Sequence, residues 1–165
     1  MRVIGFDPGL KITGFGVIES NGKEIELVQA GIIKAKANQE LSERLKEIYL
    51  GVSEILKETK ADEIAIEDLY SHYKHPRTAI LMGHARGIIF LVAGELGIKV
   101  FSYSAKRIKK ALTGNGSASK LQVQRCVKAR LGLKELPKPA DVADALAVAI
   151  CHLNQAQKHL WRERN

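Results

Sequence analysis

The 165-residue chain has only two cysteines, Cys126 and Cys151. Neither has a partner at metal-ligand spacing, which argues against a disulfide framework or a zinc site. Both fall in helical, mostly apolar stretches and read as core residues. No apolar run approaches the length of a membrane span. The opening "MRVIGFDPG" is too short, and turns polar too soon, for a signal peptide. These absences point to a cytoplasmic protein with no membrane partner. Neither an internal repeat nor an interdomain linker interrupts the chain, so residues 1–165 read as one domain, with 158–165 expected to fray. Acids are in the minority: 18 Asp and Glu against 26 Lys and Arg give a formal charge of +8. That excess suggests a polyanionic partner, nucleic acid first, against the plain alternative of a soluble protein that happens to be basic.

Hydropathy patterning gives the order of elements. "RVIGFD" (2–7) predicts a buried strand ending in an acid, and residues 12–19 a second strand. "NG" at 21–22 predicts a hairpin into a third strand over 24–33. Apolar residues at 41, 45, 48, 52, 55 and 56 predict a helix over 38–59, with Asn38 as a candidate cap. "EIAIE" (63–67) is a second buried strand ending in an acid. A polar, aromatic loop follows at 68–76, then an apolar helix over 77–96 and a last strand over 98–103. Helices are predicted at 104–112, 119–131 and 140–158. The class is α/β, with a mixed five-stranded sheet: an antiparallel meander plus parallel strands, flanked by helices.

The two acid-ended strands organise the functional reading. If they are parallel neighbours, Asp7 and Glu67 emerge at the carboxyl edge of the sheet, where open α/β sheets build their sites. Strand alternation aims Asp68 away from that site. Asp141 and Asp144 lie three apart on the last helix, and so on one face. The plain reading of Asp141 is a first-turn charge favoured by the helix dipole. Asp144 stands deeper in an Ala-rich stretch, where an unpaired carboxylate is costly. Several carboxylates at one point repel one another and raise each other's pKa; a divalent cation removes the conflict. Hard oxygen donors with no His/Cys cluster suit Mg²⁺ or Mn²⁺. A pair of such ions can activate water and stabilise the leaving oxygen of a phosphodiester.

"IGFDPGLKITGFGV", "IEDLY", "GSASKLQVQ" and "ADVADALAVAICH", in this order and spacing, resemble the RuvC-type Holliday (crossover) junction resolvases of bacteria. The resemblance covers about residues 1 to 158. It implies a ribonuclease H-like fold, a homodimer, and a Mg²⁺- or Mn²⁺-dependent endodeoxyribonuclease with two ions per subunit. It further implies four-way junction DNA as substrate, cut in homologous recombination and repair, and the RuvA–RuvB branch-migration complex as a partner. The catalytic and metal-binding quartet would be Asp7, Glu67, Asp141 and Asp144, with Asp141 the most tolerant because some members carry His there.

The loop "DLYSHYKHPRT" interleaves aromatics and cations, a pattern suited to unpaired bases and phosphates. Its candidate DNA contacts are Tyr70, Tyr73, Lys74 and Arg77. Tyr70 stands where the family often has a Phe that stacks into the junction centre. His72 and His75 are candidate proton shuttles, with a plain loop histidine as the alternative for each. "TGNGSASK" (113–120) departs from a Walker A loop at Ser119 and Leu121. Ser119 and Gln122 form a capping box, and the helix start can hold a phosphate near Ser117. Lys109 and Lys120 match family lysines that contact DNA; a solvated helix face is the alternative for "KRIKK". Gly14 and Gly16 let the second strand pack or bend. Arg86 is given no role. Competing functions are another ribonuclease H-like nuclease acting on RNA or branched DNA, a non-catalytic junction-binding protein, and an actin-like phosphotransferase. The last normally needs two such lobes.

Overall fold

The structure is a computed structural model that describes residues 1–22, 24–69 and 76–163. In chain order the elements are β1 (Arg2–Asp7), β2 (Ile12–Ser20), β3 (Ile25–Lys34), α1 (Leu41–Thr59), β4 (Glu63–Glu67), α2 (Pro76–Leu96), β5 (Lys99–Tyr103), α3 (Ala105–Thr113), α4 (Lys120–Arg130) and α5 (Ala140–Glu163). The strands form one sheet in the order β3-β2-β1-β4-β5. β1–β2 and β2–β3 pair antiparallel, whereas β1–β4 and β4–β5 pair parallel, as the sequence predicts. Gly22 at φ 94° turns the β2–β3 hairpin, and Asn21 Oδ1 accepts a hydrogen bond from Glu24 N–H at 3.0 Å.

Strand alternation divides the interior into two cores. Ile4 and Phe6 of β1, with Ile64 and Ile66 of β4, pack against α1 and α2. Val3 and Ala65 face the opposite way, into a core built with α3, α4 and α5. By the same parity Asp7 and Glu67 rise on the α5 side of the sheet, and Asp68 turns to the α2 side.

α5 lies unusually close to the sheet. A Cβ added to Gly5 would sit 2.0 Å from the carbonyl oxygen of Ala145, and one on Gly14 2.2 Å from that of Asp141. The register pairs Gly14 with Asp7, so the first turn of α5 rests beside the end of β1. The helix contributes small residues to this approach: Ala143, Ala145, Ala147 and Ala149 are all buried. The predicted packing role of Gly14 is therefore a contact with α5. A buried polar chain sets the helix along its axis. His152 pairs through Nδ1 with the Tyr103 hydroxyl and through Nε2 with Glu63 Oε2, each at 2.6 Å. Burial, the largest effect, pushes the Tyr103 hydroxyl up to about 12.

Four expectations need correction. Asn38 does not cap α1: it lies in the turn before the helix, whose N-cap is Glu40 with no side-chain cap bond. α5 runs past residue 158 to Glu163. Cys151 is a core residue, but Cys126 is only half-buried. Finally, Thr78–Leu96 of α2 is long and apolar enough, by length and composition, to cross a membrane. His84, Arg86 and Glu95 interrupt its apolar residues, which hides the run from a reading by unbroken stretches. One side of α2 is core, with Ala85, Ile89, Val92 and Ala93 buried. The other faces outward, with Ile80 62% and Leu91 52% exposed.

Candidate active site

β1 and β4 run parallel with Phe6 opposite Ile66, which sets Asp7 and Glu67 side by side at one edge. The turn after Asp7 is pinned from two sides. The buried Thr13 hydroxyl donates to the Gly9 carbonyl at 2.9 Å and accepts from Gly9 N–H at 3.3 Å. Arg44 of α1 donates from Nη2 to the Leu10 carbonyl at 2.9 Å. Neither Thr13 nor Arg44 stood out in the sequence, because each acts on a backbone carbonyl that no side-chain pattern announces.

The close approach of α5 adds Asp141, in its first turn, and Asp144 to this edge. The result is an acidic cluster whose members perturb one another. Burial first, then the charges of Asp144, Asp141 and Glu67, push the Asp7 carboxyl up to about 7. Glu67 is raised as well, by burial and then by Asp144, while Lys109 and Lys120 pull it down. Lys120 Nζ lies 2.6 Å from Asp144 Oδ2, and this hydrogen bond holds the ammonium in its charged form.

A cleft of about 260 Å³ opens beside the cluster, lined by Glu67, Lys109, Lys120 and Asp144 over an apolar base that includes Ile108 and Val123. The two predicted lysines thus share one cleft with two of the predicted acids. Lys109 is carried by α3, capped by Ser104. Lys120 opens α4, whose capping box is formed by Ser119 and Gln122 as predicted. Ser117 is exposed in the turn just before, with its N–H donating to Asn115 Oδ1 at 2.9 Å. Arg77 is the second residue of α2. Tyr70, Tyr73, Lys74, His72 and His75 lie outside the described residues.

The donor set can be weighed against the implied metal. Among the described residues no three His, Cys, Asp or Glu side chains are gathered tightly enough to hold an ion as they lie. Their chemistry nevertheless fits a hard divalent cation. The donors are carboxylate oxygens, burial and then their repulsion keep Asp7 partly protonated near neutrality, and an ammonium already offsets the charge of Asp144. Asp7, Glu67, Asp141 and Asp144 are the carboxylates at this edge that could hold Mg²⁺ or Mn²⁺.

Comparison with known proteins points to one family. The family described as "Crossover junction endodeoxyribonuclease RuvC" matches residues 3–152. A protein of that name from Rhodopirellula baltica is 50% identical over 149 residues, covering 90% of this chain and 84% of its own length. Another from Caldicellulosiruptor saccharolyticus is 42% identical over 164 residues, covering 99% and 98%. Among solved structures, Thermus thermophilus RuvC in complex with a Holliday junction substrate superposes with a TM-score of 0.91 at 34% identity, over 96% of each chain. The yeast mitochondrial resolvase Ydc2, at 13% identity and a TM-score of 0.68, shares the fold. On this match of sequence along nearly its whole length, the chain belongs to the RuvC family of crossover junction endodeoxyribonucleases.

Proposed function

We propose that this protein resolves four-way DNA junctions by paired, symmetric nicks, acting as a cytoplasmic homodimer in recombination and repair. The observation that carries the reading is the acidic cluster built by β1, β4 and α5 at the mouth of a lysine-lined cleft, in a chain of the RuvC family. Lys109 and Lys120 bind backbone phosphates at the cleft, with Ser117 and the N–H groups at the start of α4 beside them. Tyr70, Tyr73, Lys74 and Arg77 engage the open centre of the junction by stacking and charge. Asp7, Glu67, Asp141 and Asp144 hold two divalent cations, which when bound supply a Lewis acid and an activated water for in-line hydrolysis.

The two-fold symmetry of paired nicks calls for two sites related by two-fold symmetry. The outward side of α2 suits the pairing. Ile80 and Leu91 are exposed there, and nothing lies within 4 Å of a Cβ added to Gly87, so a second helix has room to approach. A synthetic junction, the corresponding duplex DNA and an RNA of the same sequence, each incubated with Mg²⁺, test the proposal. The junction is expected to be nicked at symmetry-related positions while duplex and RNA stay intact. Leu91→Glu, which places a charge on the pairing face, is expected to sediment as a monomer and to lose the pairing of nicks. Junction binding without cleavage would instead make this a structural binder, and equal cutting of RNA a general ribonuclease H-like nuclease.

A further inference from the structure

Arg86 lies midway along α2, on the side of the sheet opposite the acidic cluster. Asp68 and Ser102 have the strand parity that turns their side chains to this face, and the guanidinium meets both. Its Nη1 donates to the carbonyl oxygen of Glu67 at 2.5 Å, and its Nη2 donates to Ser102 Oγ at 2.6 Å and lies 3.4 Å from Asp68 Oδ1. The group sits 4.9 Å from the Phe90 ring centroid and its side chain is only 14% exposed. The Glu67 carbonyl is where the β4–β5 ladder runs out: Glu67 pairs with Tyr103, and Asp68 N–H already donates to the Tyr103 carbonyl. The peptide that follows Glu67 is therefore held at both ends, its N–H by β5 and its carbonyl by a charged donor from below the sheet. Rotation of that peptide would swing the Glu67 side chain and would break a charge-assisted bond.

The geometry points to Arg86 as the positioning residue for Glu67. Its planar fork reaches two acceptors on adjacent strands at once, which an ammonium cannot do with the same geometry. Its Nη1 and Nη2 are committed to Glu67 of β4 and Ser102 of β5, which sets it apart from the phosphate-binding lysines of the cleft. The inference rests on the reading of Glu67 as a metal-holding residue.

Arg86→Met removes the donors and keeps most of the stem. The Mg²⁺ concentration for half-maximal junction cleavage, and the Mn²⁺ dissociation constant by calorimetry, are both expected to rise roughly 10–100-fold, as for loss of a group that orients a metal ligand. Junction affinity in EDTA is expected to stay near the wild-type value, and Arg86→Lys to recover part of the loss. A lower melting temperature with an unchanged Mn²⁺ dissociation constant would reduce Arg86 to a structural role and overturn the inference. Loss of junction affinity at an unchanged Mg²⁺ requirement would make it a phosphate contact and overturn it equally. If Arg86→Met does not fold, Ser102→Ala, which frees one prong of the fork, decides by the same titrations. A raised requirement supports the inference and a wild-type one overturns it. Glu67→Gln separates the two levels: wild-type metal binding in that variant refutes the metal reading of Glu67 itself.

Discussion

Asp7→Asn is expected to lower junction cleavage by several orders of magnitude while the metal-free protein melts higher than wild type at pH 8. The sign follows from the raised carboxyl. Asp7 titrates at about 7 in the folded protein against 3.8 for the unperturbed group, so the folded state holds a proton that the unfolded chain has released. Stability is therefore unaffected below about pH 4 and falls as pH rises to about 7. It stays lower above that, by an amount on the order of a few kcal/mol. Asparagine carries no charge and removes this loss. Thermal melts in EDTA at pH 4 and pH 8 read it directly: the variants should coincide at the lower pH and separate at the higher. Added Mg²⁺ should raise the wild-type melting temperature by mass action and leave Asp7→Asn much less affected. Because metal-free Asp7 takes up its proton as pH drops through about 7 and a cation needs the carboxylate, the Mg²⁺ concentration for half-maximal cleavage by the wild type should rise below that pH. Equal melting of the two proteins at pH 8 would show that the cluster carries no such repulsion.

Gly14→Ala should be nearly as damaging, although it removes no functional group. The new methyl would lie 2.2 Å from the carbonyl oxygen of Asp141, a backbone atom in the first turn of α5 that cannot rotate away. The helix start must lift, at a cost of about 1–3 kcal/mol for overpacking. For a domain of this size that lowers the melting temperature by roughly 2–4 °C per kcal/mol. Cleavage should fall further than stability does, on the order of 100-fold, because Asp141 and Asp144 move with the helix relative to Asp7. A variant that is destabilised yet cleaves in proportion to its folded fraction would show that α5 need not touch the sheet for catalysis.

These two residues mark the boundary of what the sequence could reveal. Asp7 was legible because two apolar strands each end in an acid, and a helix between them implies that they lie parallel. Asp141 and Asp144 were legible from their spacing of three in an Ala-rich helix. Gly14 could be seen to permit close packing, but the identity of what packs there depends on α5, whose contacts lie far along the chain. Arg86 was harder still. A lone arginine in an apolar helix does not disclose that it reaches the Glu67 carbonyl, since backbone acceptors leave no trace in composition. His152 is the same case, with partners 49 and 89 residues away. Asn38 misled because a residue suited to capping is equally suited to the turn that precedes the helix. The membrane-length segment of α2 was missed because three polar residues break it on paper, while the remaining residues still average as apolar.

Asp144→Asn tests most directly the claim that the fold gathers these carboxylates to hold metal for junction cleavage. The measurement pairs a melting temperature in EDTA with a cleavage rate on a synthetic four-way junction in Mg²⁺, for the same preparation. Loss of the bridge to exposed Lys120 should cost little, about 0–1 kcal/mol, and relief of repulsion with Asp7 should offset it. The expected result is a protein at least as stable as wild type whose cleavage falls by orders of magnitude. A protein that is less stable than wild type and loses activity only in proportion would contradict the account.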